Sequence, residues 1–65
     1  MIGYVARDKD GDIYLYTEEP TYDYVIESWF SNNPEFINIT GQFHEFDNMS
    51  YKDEPIKVEI KLEKV

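Results

Sequence analysis

"DKDGDIYLYTEE", residues 8–19, decides how this 65-residue chain folds, and two readings compete for it. Asp8, Asp10, Asp12 and Glu19 stand at positions one, three, five and twelve of a twelve-residue window, the ligand spacing of a helix–loop–helix calcium site. Such a loop needs glycine at its sixth position, where Ile13 stands, and a helix on either side. Both flanks alternate instead: "IGYVA" before the turn and "DIYLYT" after it carry the period-two pattern of strands. An extended 12–17 would also carry Glu19 about 20 Å from the turn, far outside ligand reach. "DKDG" itself has Asp at its first position and Gly at its fourth, the preferences of a type I turn continued by a left-handed glycine. The stretch therefore predicts a hairpin with Lys9, Asp10 and Gly11 as a three-residue loop. Weak calcium binding by the turn is the last of the functional readings, and no cofactor is expected.

The loop length sets the register. It pairs Arg7 with Ile13, Ala6 with Tyr14, Val5 with Leu15 and Tyr4 with Tyr16. Val5, Ile13 and Leu15 then share one face, and Tyr4, Tyr14 and Tyr16 the other. A two-residue loop would slip the register by one and mix the two sets.

Working outward, the far end of the chain reads "IKVEIKLEK" (56–64). Ile56, Val58, Ile60 and Leu62 fall on one face, with Lys57, Glu59, Lys61 and Glu63 on the other. That is a half-buried strand, with a charged outer face suited to a sheet edge. Pro20 ends the strand before it, because it has no N–H to give a ladder. "YDYVIESWF" (22–30) is dense in β-formers, "SNNP" (31–34) is a turn cluster and "EFINI" (35–39) a short strand. Residues 23–39 thus read as a second hairpin turning at 31–34. A helix over 22–30 is the rival that pattern alone does not remove. Phe43 and Phe46, three apart, suit one short helical turn near 43–47. The expected fold is all-β: a single domain, 1–65, forming a small antiparallel sheet or partly open barrel of about five strands.

Composition bounds the function. Fourteen acids against six bases leave a formal charge of −8. That surface repels nucleic-acid phosphates and anionic membranes, so neither is expected as a direct partner. With no Cys there is no disulfide or thiolate metal site, and six Tyr, four Phe and one Trp must supply the core. No basic, then apolar, leader opens the chain, and no run approaches the roughly 18 apolar residues of a membrane span, so a cytoplasmic protein is expected. His44 is the only histidine; Ser28, Ser31 and Ser50 offer it no triad pattern, and Gly3, Gly11 and Gly41 are too scattered for a phosphate loop. The chain is not expected to be an enzyme.

The opening "YVARDKDGDIYLYTEEP" and the closing "FDNMSYKDEPIKVEIKL" resemble a family of very small proteins of phages, prophages and gut-bacterial genomes. That family pairs an "ARD-DG-LYL…P" hairpin with a central Trp and an "F-P-E-V-S/T-W-x-D-E-P-x-x-V" tail. Ala6, Arg7, Asp8, Asp10, Gly11, Tyr14, Leu15, Pro20, Trp29, Phe46, Ser50, Tyr51, Asp53, Pro55 and Val58 stand at matching places. Asp47 replaces the usual Pro and Tyr51 the usual Trp. The resemblance covers both ends of the chain; it implies a mobile-element origin and no particular chemistry.

Charge and origin together lead to a non-enzymatic protein-interaction module. In this reading a face of Tyr4, Tyr14 and Tyr16, rimmed by Asp8, Asp10, Asp12, Glu18 and Glu19, docks on a host protein with a basic surface. Carboxylates standing where DNA phosphates would make the chain a DNA-mimic inhibitor of a nucleic-acid-binding or defence protein. The alternative is a structural, self-associating β domain with the Tyr face at a homodimer seam.

Overall fold

The computed structural model describes residues 1–32 and 35–60. Its strands are β1 (Ile2–Arg7), β2 (Ile13–Tyr16), β3 (Thr21–Asp23), β4 (Ser28–Phe30), β5 (Phe36–Asn38) and β6 (Ile56–Glu59), with a 3-10 turn at His44–Phe46 between the last two. Four strands form one antiparallel sheet in the order β5-β2-β1-β6, while β3 and β4 pair with each other as a separate ribbon. The fold is all-β, and the sheet stays open rather than closing into a barrel.

The first hairpin has the expected register: Arg7 opposite Ile13, Ala6 opposite Tyr14, Val5 opposite Leu15 and Tyr4 opposite Tyr16. Its loop closes on Asp8, whose N–H donates to Asp12 O at 2.9 Å and whose carbonyl accepts from the Gly11 N–H at 3.0 Å. Gly11 sits at φ +99°, a conformation that a β-carbon disfavours. The 3-10 turn falls where Phe43 and Phe46 place it, and those two rings meet edge-on at 6.3 Å.

The aliphatic face forms the core. Val5 and Ile13 are buried with Ile39 and Met49, and Leu15, Phe46 and Val58 pack around them. Gly3 is buried on the same face; an added methyl would meet Ile60 Cδ1 at 2.6 Å and Leu15 Cδ1 at 2.9 Å, so its bareness lets those two side chains close over β1. Arg7 fastens the covering segment: Nε donates to Gly11 O at 3.0 Å, and one terminal nitrogen donates to Asp47 O at 2.9 Å and Met49 O at 2.8 Å. This seats Met49 in the core cluster with Val5, Ile13 and Ile39. The final strand lies at the sheet edge beside β1, with Val58 facing the core. The expected continuation through Lys61, Leu62 and Glu63 lies outside the described residues.

The middle of the chain differs from expectation. Residues 23–39 are not one hairpin, and 22–30 is not a helix. The ribbon turns at 24–27, with Thr21 opposite Phe30, Tyr22 opposite Trp29 and Asp23 opposite Ser28. Asp23 causes this: its Oδ1 accepts from the Val25 N–H at 2.8 Å and the Ile26 N–H at 3.4 Å, a side-chain bond that starts a turn where propensity alone favours a strand. Freed from that pairing, β5 lies against β2, with Leu15 opposite Ile37 and Tyr16 opposite Phe36. Ile39 N–H then donates to Ile13 O at 2.8 Å, and burial of Ile39 rewards this partner over β4.

Ile13→Ala should cost about 2–5 kcal/mol in urea denaturation, as a buried aliphatic removed from the centre of the core does. Gly11→Ala should cost about 1 kcal/mol or more. Nothing lies within 4 Å of the β-carbon it would add, so this loss is purely conformational. A Gly11→Ala variant as stable as the parent would contradict the left-handed loop.

Candidate functional site: an apolar hairpin tip beside the acidic loop

The structure divides the expected tyrosine face. Tyr14 and Tyr16 lie 6.3 Å apart by ring centroid, and each ring lies 5.7 Å from Phe36. Tyr16 is only 4% exposed, so it packs within the domain and is closed to any partner. Tyr4 and Tyr14 are half-buried, whereas Phe36 is open. Phe36 was missed because the expected second hairpin gave its strand to the wrong neighbour. Burial pushes the Tyr16 phenol up to about 12, with Asp8 and Tyr14 adding to the shift. Burial and then the Asp12, Asp10 and Asp8 carboxylates also raise the Tyr14 phenol.

The carboxylates divide too. Asp8 is not a free rim charge: its Oδ1 accepts from Ser28 Oγ at 3.1 Å and from the Trp29 N–H at 3.0 Å, anchoring β4 to the loop of the first hairpin. Asp10 Oδ1 accepts from the Asp12 N–H at 3.0 Å, an internal turn bond. Glu18 and Glu19 are exposed. Glu19 lines a groove of about 410 Å³ with Tyr22, Trp29 and Glu54. Two of the supposed calcium ligands thus bind backbone N–H groups. Among the described residues no group of three or more His, Cys, Asp or Glu side chains is placed to hold a metal ion. His44 is exposed, and its Nδ1 lies 3.1 Å from Asp47 Oδ2. Among the described residues no helix is long and apolar enough to cross a membrane.

The most unusual surface is the tip of the β3–β4 ribbon. Tyr24, Val25 and Ile26 are 84%, 92% and 64% exposed, three large apolar side chains in succession. The tip is braced from several sides. Asp23 bonds its N–H groups, and Lys9 of the first loop forms an ion pair with Glu27. Glu27 holds φ +54°, a left-handed conformation that costs a non-glycine residue energy. Behind the tip Tyr22 packs edge-on against Tyr24 at 4.9 Å and Trp29 at 5.2 Å. These rings, with Glu27, Tyr51, Lys52 and Glu54, line a cleft of about 530 Å³. Sequence reasoning missed the tip because Val25 and Ile26 look like strand interior. The available signal was Asp23, two residues ahead, whose side chain can cap a turn.

The Tyr16 shift has a sign that can be checked. Its folded value lies above the ordinary 10.0, so neutral Tyr16 is favoured by the folded state. That stability is present below pH 10 and is lost as pH rises toward 12. Denaturation midpoints should fall across this window in the parent and fall less steeply in Tyr16→Phe; identical slopes would show that the phenol is not buried.

Comparison with protein-family models, with curated proteins and with solved structures returned no match for this chain.

Proposed function

We propose that this chain is a non-enzymatic interaction module of mobile-element type that docks on a basic, nucleic-acid-handling host protein in the cytoplasm, led by its β3–β4 tip. The observation that carries this reading is the run Tyr24, Val25 and Ile26 held in solvent on a braced turn. Contiguous apolar surface on a small domain marks contact sites, and a protruding aromatic–aliphatic tip can fill a partner's pocket. Glu27 at the tip, Asp10 in the adjacent loop and Glu18 and Glu19 below it are exposed acids in a chain of net charge −8. Such charges steer encounter with a basic surface and compete there with nucleic acid. The resemblance to small phage proteins bears on the mobile-element part of this reading alone.

A self-associating module is the second reading, favoured by β5. This strand ends the sheet among the described residues, with Phe36 50% and Ile37 59% exposed. An exposed apolar edge strand is a template for a second copy. Light scattering across protein concentration separates the two: a dimer that forms without any partner favours self-association.

Val25→Asp with Ile26→Asp should leave stability within about 0.5 kcal/mol, since neither side chain is packed. The same pair should abolish capture of a basic host protein that the parent retains, and DNA should displace that protein from the parent. Unchanged capture by the double variant, or indifference to DNA, would contradict the proposal.

A further inference from the structure

We propose that the cleft between the β3–β4 ribbon and the 51–54 turn receives an arginine side chain of the partner, and that Lys52 is its built-in competitor. This rests on the interaction reading above and gives that partner's contact a chemistry. The walls are Tyr22, Tyr24, Trp29 and Tyr51, whose π faces attract cations, and the rim carries Glu27 and Glu54. Glu27 is taken by Lys9, whereas Glu54 has no ion-pair partner among the described residues. A guanidinium suits this combination better than an ammonium. It is planar, stacks on an aromatic face, and still points a fork of N–H donors at a carboxylate.

The protein already places a cation here. Lys52 Nζ stands over the Tyr51 ring, 5.8 Å from its centroid. A strongly hydrated ammonium is the weaker occupant of such a site, and an arriving guanidinium would displace it. The volume of about 530 Å³ exceeds what one side chain fills. The excess has a use, because Tyr22, Trp29 and Glu54 also line the adjoining groove beside Glu19 and Pro20. A basic segment could therefore set its arginine in the cleft and run its backbone along that groove, past a second carboxylate.

Trp29 is the chain's single tryptophan, so its fluorescence and its indole N–H resonance report on the cleft and the groove that adjoins it. The probe is a blocked Gly-Arg-Gly tripeptide, titrated against its citrulline counterpart, which keeps the shape and removes the charge. The arginine peptide should change the Trp29 signals saturably and the citrulline peptide should not. Tyr51→Leu should weaken the arginine peptide about two- to fivefold, the scale of one exposed cation–π contact. Lys52→Ala should tighten it by a similar factor. Lys57→Ala, which removes the same charge from β6, should not. Amide spectra of each variant establish that it is folded. Equal responses to the two peptides, no saturable response, or equal tightening by Lys52→Ala and Lys57→Ala would overturn the proposal. The tip variants keep the two readings apart: loss of the captured protein in Val25→Asp, Ile26→Asp with no arginine response in the parent refutes the cleft and leaves the docking tip standing.

Discussion

Two neighbouring side chains where β1 ends, Arg7 and Asp8, tie the core-covering segment and the β3–β4 ribbon to the first hairpin. Side chains that follow one another along an extended backbone point to opposite sides. Arg7 accordingly reaches the aliphatic side, where it donates to Gly11, Asp47 and Met49 carbonyls and pins the segment that covers the core. Asp8 reaches the other way and accepts from Ser28 Oγ and the Trp29 N–H, pinning the start of β4 beside the turn of the ribbon. Its own backbone closes the turn between β1 and β2. A domain this small buries too little surface to hold distant segments by apolar packing alone. Among the described residues its buried hydrophobic side chains are Val5, Ala6, Ile13, Tyr16, Ile39 and Met49, with none from the ribbon. Charge-assisted hydrogen bonds, stronger than neutral ones, supply the attachment that the core does not.

That attachment explains how an apolar tip can project without collapsing. The ribbon is gripped beside its turn, by Asp8 on Ser28 and Trp29 and by the Lys9–Glu27 pair, so its turn end answers to the loop of the first hairpin. The internal bond from Asp23 then sets the shape of the turn. Folding gains nothing from Val25 at 92% exposure, and the positive φ of Glu27 is a cost. Features that oppose stability and are nonetheless braced are where a contact surface is expected, and the aromatic cleft lies directly behind them.

The sequence was most legible where structure is local. The loop at Lys9–Gly11 and the four pairs it sets could be read because a short turn and strict alternation decide each other. Phe43 and Phe46 likewise marked their turn through spacing alone. The middle of the chain was illegible for a physical reason: its outcome is decided by contacts between residues 21 and 26 positions apart. Asp8 binding Trp29 and Ile39 binding Ile13 select the ribbon and the place of β5, and neither leaves a trace in local propensity. The candidate site shared this division. The acidic loop was found, yet the first of its carboxylates proved to be an anchor, and Tyr16 proved to be interior. Tyr24, Val25 and Ile26 were passed over because the residues that make a good strand are also those that make an adhesive tip.

The most direct test of this account is backbone hydrogen exchange, followed by NMR, in the parent and in Asp8→Ala. Removing the carboxylate should strip protection from the Trp29 amide, which donates to it, while the amides of Val5 and Leu15 in the main sheet keep theirs. Unchanged protection at Trp29, or uniform loss across the ribbon and the sheet alike, would contradict the claim that Asp8 attaches the ribbon to a sheet that stands without that bond.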